Sequence, residues 1–342
     1  MADQRVILGT QIAFRLMLFV AGLYVLYLVR DVVWLVLFSI LTAAALAPVI
    51  ARLRRWRLSR VGAVIVTYAV VFFGGVAVLA VLLPLFFSEV KEFLQNWPEY
   101  SRHLDTLFSS FQSYLSAFGI DFQKEAFFQN IEADIESNFS GVFSTTLGVF
   151  QSLIHLIAFF FLALYLSLEE KGIEKLFLLL TPAEYHTQAL SLASRMQGKV
   201  SQWLFGQMLL MLIAFIMYYI GLTVLGVPYA LAIAFFGGLM EILPYIGPVL
   251  AAVPAILAGL LVSPVLGVSA LIFYVIAHQI EGHIIAPQIM KHSTGLNPVA
   301  LIIAILVGFE LGGPLGIILA VPVTMMLSVF VDDILVKKEK SV

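Results

Sequence analysis

Residues 61–87 carry no Asp, Glu, Lys or Arg. A helix needs about 20 apolar residues to cross roughly 30 Å of hydrocarbon, and a run this long would leave a bare apolar face on any water-soluble core. Runs with at most one such charge recur at 12–29, 32–50, 147–168, 203–225 and 265–285. The whole chain is 61% hydrophobic and 12% charged, with a mean hydropathy of +1.03. Soluble domains are about half apolar and about a quarter charged. The alternating segments of roughly ten residues that mark membrane barrels are absent. The pattern predicts an all-α polytopic membrane protein with five to six full transmembrane spans.

Charge sets the sidedness. Arg30-Asp31 predicts a tight polar turn between the first two spans, and Arg52, Arg54, Arg55, Arg57 and Arg60 make 51–60 a basic loop. The positive-inside rule places that loop, and with it the N-terminus, in the cytoplasm. Residues 1–87 thus hold the first three spans. In 88–145 acids outnumber Lys91, Arg102 and Lys124, while Phe93, Leu94, Trp97, Leu104, Leu107 and Phe108 recur at helical spacing. An extracytoplasmic amphipathic segment is predicted there, broken at Pro98 and Gly119. A packed cap, a surface lid and an oligomer contact are its three readings. Residues 146–202 hold the fourth span and a charged connector, in which Thr181-Pro182-Ala183-Glu184 reads as a helix start. Residues 203–336 form the core, and the tail 337–342, with Lys337, Lys338 and Lys340, is again cytoplasmic.

That core contains a repeat. Pro228-Tyr-Ala-Leu-Ala-Ile-Ala, then Pro244 and Ala252-Val-Pro254, is echoed by Pro298-Val-Ala-Leu-Ile-Ile-Ala, then Pro314 and Ala320-Val-Pro322, with Gly238 opposite Gly308. Each first arm has about 16 residues or fewer, roughly 24 Å of helix, which is short for a span. Each ends in a Pro/Gly turn, 244–248 or 312–316, so re-entrant hairpins are predicted at 228–263 and 298–331 around the span at 265–285. One crossing between them makes the repeat inverted. Paired short, Pro/Gly-interrupted segments point to a transport site; slightly short spanning hairpins in a passive bundle are the alternative.

Ionisable side chains at membrane depth are costly and therefore candidates for function. Glu241 precedes Pro244 by three residues and Glu310 precedes Pro314 by four, so both lie at helix C-termini, where the dipole opposes a carboxylate charge and a cation or proton would relieve it. Pro244, Tyr245, Gly247, Pro248, Gly313 and Pro314 shape the two turns. The third acid lies in His278-Gln279-Ile280-Glu281-Gly282-His283. His278 and Glu281 are three apart and predicted to share a helix face. The spacing is not the zincin His-Glu-x-x-His, so no metal site is expected. A polar cluster of Glu281 with Gln279, Lys291 and Asn297 near the cytoplasmic mouth is one reading, and a Glu281 lying in the headgroup layer is the other. Without cysteine there are no disulfides or thiolate metal sites. No phosphate-binding loop and no paired nucleophile and base occur, and the net charge of −2 offers nothing to nucleic acid. An enzyme is not expected, nor a cofactor.

The most distinctive stretch, Pro244-Tyr245-Ile246-Gly247-Pro248, joins Gly198-Lys199-Val200-Ser201, Gly206-Gln207, Leu225-Gly-Val-Pro-Tyr-Ala230, Gln279-Ile-Glu-Gly282, Ala286-Pro287, Gly295-Leu-Asn-Pro298 and the run from Gly312 to Pro322. Together they resemble the autoinducer-2 exporter family of bacterial permeases, specifically after about residue 150 and weakly before it. The resemblance implies a transporter of the bacterial plasma membrane with cytoplasmic termini and a homo-oligomeric state. It implies a small polar solute such as the autoinducer-2 signal, or exchange of Na⁺ or Li⁺ for protons, as cargo. A non-transporting scaffold in contact with lipid is the reading from another class.

Overall fold

The computed structural model describes residues 28–117, 146–169, 181–290 apart from Tyr245, and 298–340, with isolated positions at 17, 22, 24, 25 and 178. Most of the expected first span, together with Gly119, Lys291 and Asn297, lies outside the described residues, as does Tyr245. Every regular element among those described is helical: α1 Arg30–Arg55, α2 Arg60–Ala117, α3 Thr146–Leu168, α4 His186–Leu225, α5 Ala230–Met240, α6 Ile246–Val262, α7 Pro264–Ile280, α8 Ala286–Ile289 and α9 Pro298–Lys340. A 3₁₀ turn, Ala183–Tyr185, leads into α4, and a π-helical turn, Glu281–Ile285, joins α7 to α8. Among the described residues, five helices or helix runs are long and apolar enough to cross a membrane: Arg30–Arg55, Arg60–Asn96, Ala183–Leu225, Pro264–Ile289 and Val299–Asp333. Shorter apolar helices accompany them. The molecule is a multi-pass helical membrane protein.

Local chemistry explains the boundaries. Arg52, Arg54 and Arg55 fall in the last turn of α1, where cations oppose the negative helix end. Arg57 turns the chain with a left-handed φ of 67°. Arg60 then opens α2, and its guanidinium donates to the carbonyls of Ser167 (2.9 Å) and Glu169 (2.8 Å), closing the far end of α3. The Tyr68 hydroxyl and the Ser167 Oγ lie 2.9 Å apart beside it. Gly226 ends α4 in the left-handed region (φ 76°), with the Val227 N–H donating to the Leu222 carbonyl at 2.9 Å. Ser263 caps α7, accepting from the Leu266 N–H at 3.2 Å, with Pro264 at the first helical position.

Two sequence expectations change here. Arg30 and Asp31 are the first two residues of α1, and α2 runs through Pro98 as far as Ala117. An internal proline removes one backbone hydrogen bond and crowds the preceding turn. Arg102 donates from Nε to the Pro98 carbonyl at 2.9 Å, supporting the helix one turn beyond.

Both hairpins are present, with their breaks at 241–244 and at Gly313. Gly313 holds φ 58° and ψ −138°, a conformation open to glycine alone. The chain folds back so closely there that a Cβ on Gly316 would strike the Gly308 carbonyl. In the first hairpin a Cβ on Gly247 would strike the Met240 carbonyl. Leu243, in the first turn, belongs to one apolar cluster with Met290 and Leu301, at the root of the second hairpin. The tip of the second hairpin packs elsewhere, Gly312 lying against Trp34 of α1. The two hairpins therefore point in opposite directions. α4 to α7 meet through Ala214, Ala234, Ala251, Ala255, Ala270 and Ala277, small side chains that let helices approach without a hydrophobic driving force.

Gly316→Ala is expected to destabilise the second hairpin by about 1–3 kcal/mol, the usual cost of overpacking, read as a lower melting temperature in detergent. Ala at Gly313 should be at least as damaging.

Candidate functional site

Glu241 is the C-terminal cap of α5, with φ −57° and its N–H donating to the Gly237 carbonyl at 3.1 Å. A helix that ends inside a membrane protein leaves carbonyls without partners, and each needs one. The Gln207 amide of α4 supplies it here, donating from Nε2 to the Glu241 carbonyl at 2.6 Å. The backbone at the break is thus fixed from a neighbouring helix while the Glu241 side chain is free to face inward.

It faces Glu281. Glu241 and Glu281 are 6% and 5% exposed, and the Glu241 carboxylate lies against both Glu281 and the Tyr218 hydroxyl. Tyr218 is fully buried on α4 and directs its hydroxyl to Glu281 Oε2 at 3.5 Å. The Tyr274 ring of α7 packs on Tyr218 with centroids 4.7 Å apart. Glu241 Oε2 and the Tyr274 hydroxyl are buried without a hydrogen-bond partner. Buried polar atoms are nearly always satisfied, so two orphans in one cluster mark a place able to receive a proton or a small polar occupant.

Glu281 reaches this cluster because it extends the buried stripe of α7: Gly267, Ala270, Tyr274 and Ala277 are all buried, and Glu281 follows at the same spacing. That stripe corrects the sequence reading of a face shared with His278. His278 is exposed while Glu281 is buried, because in a helix a residue three positions away is still about 60° off the face. Gln279 and His283 are exposed too, His283 Nδ1 lying 3.2 Å from the Gln279 carbonyl. The structure does not gather Gln279 with Glu281.

The second tip stands apart. Glu310 and Pro314 are exposed, and the neighbouring Gly312 meets Trp34; the two tips do not converge on one site. Pro244 is half-buried, and Gly247 and Pro248 are buried in the first turn. A cavity of about 680 Å³ opens along the second hairpin, walled by Ile303, Val307, Leu319 and Val323 with Ser328 and Asp332 at one end. No residue of the carboxylate cluster lines it. No group of three or more His, Cys, Asp or Glu among the described residues could hold a metal ion.

Sequence reasoning gave Gln207 no role beyond its place in the family motif and missed Tyr218 and Tyr274. Tyr274 was readable in principle, since Gly267, Ala270, Tyr274, Ala277 and Glu281 repeat at alternating spacings of three and four, the mark of one helix face.

A multi-pass helical protein with two broken hairpins, one of which carries a buried acid against a second acid on a neighbouring helix, has the architecture of a membrane transporter. The chain belongs to the AI-2E family of transporters, whose family model matches residues 16–336. Among its relatives, YueF of Bacillus subtilis (strain 168) is 26% identical over 293 residues, covering 82% of this chain and 78% of the relative. YrrI of the same organism is 27% identical, covering 85% and 83%. The AI-2 transport protein TqsA of Escherichia coli (strain K12) is 23% identical, covering 86% and 84%.

Replacing Gln207 by Leu leaves the Glu241 carbonyl without its donor. A loss of about 1–3 kcal/mol is expected, visible in thermal unfolding of the purified protein, whereas Gln207→Asn, which keeps an amide donor, should lose less.

Proposed function

We propose that this protein is a secondary active transporter in which the Glu241–Glu281 pair carries the exchangeable proton, and that its cargo is a small polar organic solute exported from the cell. The observation that carries this reading is the burial of two carboxylates against each other. Two like charges so close and so dry cannot both persist uncompensated; the pair must share a proton or hold a cation. Release of that proton on one side of the membrane and uptake on the other would couple cargo movement to the proton gradient. The printed name of TqsA makes the autoinducer-2 signal the first cargo to test.

A second reading, exchange of Na⁺ or Li⁺ for protons, draws on the same pair, because a carboxylate pair suits a small monovalent cation as well as a proton. The arginines between 52 and 60 favour cytoplasmic termini, and relatives from Bacillus subtilis and Escherichia coli favour a bacterial inner membrane. The uncovered apolar length of α2, where positions 70–81 are all exposed, is available to lipid or to another copy in a homo-oligomer.

The test is flux in proteoliposomes under an imposed pH gradient. Glu241→Gln and Glu281→Gln should each reduce proton-coupled flux roughly tenfold or more, with assembly on gel filtration unchanged. Glu310→Gln should stay close to wild type. Full coupled flux in both buried-acid variants would remove the pair from the mechanism. Flux of the organic solute without a cation response selects the first reading, and a Na⁺- or Li⁺-driven pH change selects the second.

A further inference from the structure

Among the described residues, the long helix α2 packs against the rest of the protein chiefly toward its two ends, with one ring contact between them, Phe72 against Phe160 of α3 with centroids 5.3 Å apart. At the start, Ala63, Val64 and Tyr68 pack with Leu46 and Ile50 of α1 and Ala163 of α3. At the other end, residues 86–100 run antiparallel to the beginning of α5. Phe86 meets Phe235 with centroids 5.7 Å apart, and Phe93 meets Tyr229 edge-on at 5.7 Å. The Glu89 carboxylate accepts from the Ala232 N–H at 2.7 Å, so it closes the N-terminus of α5 from another helix. Tyr229, one residue before α5, holds a left-handed backbone (φ 60°, ψ 30°) that is uncommon for a residue with a side chain. Its hydroxyl lies 2.8 Å from that of Tyr100 and 3.5 Å from the Asn96 amide.

Between the two anchors every residue from 70 to 81 is exposed. In the middle of that stretch sit Gly74 and Gly75, with nothing within 4 Å of where a Cβ would be. No close packing at these two positions calls for glycine, and glycine inside a helix lowers its stability. A pair of glycines is one of the recognised places at which helices bend.

We propose that α2 is a lever that sets the position of Glu241, pivoting at Gly74–Gly75 and gripping the first hairpin through Glu89, Tyr100 and Tyr229. α5 is the rigid arm that carries the grip to the carboxylate, since its first turn is held by Glu89 and its last residue is followed directly by Glu241. Glu89, Tyr100 and Tyr229 are therefore positioning residues. The functional importance of the lever rests on Glu241 belonging to the working site; its mechanics do not.

The experiment uses a cysteine at Pro244 in the otherwise cysteine-free chain, labelled in proteoliposomes with a membrane-impermeant maleimide. Glu89→Ala and Tyr100→Phe should change the labelling rate at Pro244→Cys by between roughly twofold and thirtyfold, the range that loss of a helix cap spans. Glu89→Gln keeps an acceptor oxygen and should restore most of the parent rate. The pivot is tested by Gly74→Ala with Gly75→Ala, which meets no neighbour and should raise the melting temperature while slowing labelling. An unchanged rate in both grip variants overturns the lever, as does a stabilised alanine pair with parent-like labelling. Because the readout is labelling and not flux, failure of the carboxylate pair in the flux assay would leave this result standing.

Discussion

In hydrocarbon a backbone N–H or carbonyl has no water to fall back on, so each helix that ends within the protein must find a partner for its terminal groups. Three side chains meet that demand here, each reaching from a different helix than the one it closes. Arg60 of α2 closes the C-terminus of α3. Glu89 of α2 closes the N-terminus of α5, and Gln207 of α4 closes its C-terminus. The first hairpin exists as a hairpin because both ends of its short arm are satisfied from outside. Its turn can then carry an acid into the interior.

The hairpins also depend on close backbone approach. Gly308 and Gly316 cross without room for a methyl group, and Gly247 lies directly against the Met240 carbonyl. In a soluble protein the hydrophobic effect would drive such arms together. Within a membrane, packing has to do it, and packing improves as side chains shrink. The alanines shared by α4 to α7 follow the same logic and leave space for two tyrosines, Tyr218 and Tyr274, where the acids are.

The acidic pair is the feature of this frame on which the proposed transport chemistry rests. Glu241 comes from a helix break and Glu281 from the start of a π-helical turn, a distortion often found at functional sites. The two carboxylates therefore sit on elements whose backbone geometry can change at modest cost, unlike residues within long regular helices. Movement of either element would alter the distance between the two carboxyl groups.

Much of the plan was readable in one dimension. Apolar run length gives the spans, Pro and Gly give the two hairpin breaks, and Glu241 is marked by its place before Pro244, since each of these properties belongs to a short stretch of chain. The three-four spacing of Gly267, Ala270, Tyr274 and Ala277 carries the inward direction of Glu281 as well, once small residues are taken as the buried face. The partners are another matter. Nothing near position 241 names Gln207, Tyr218 or Glu281, and nothing near position 89 names α5. In a soluble helix the polar face announces what is outside, but a membrane helix is apolar toward lipid and protein alike, so periodicity is silent about which face meets which neighbour. The sequence by itself determined a polytopic helical protein with two broken hairpins and acids at depth. Only the tertiary structure decided that Glu241 pairs with Glu281 while Glu310 stays outside, because that choice depends on how the helices pack across the chain.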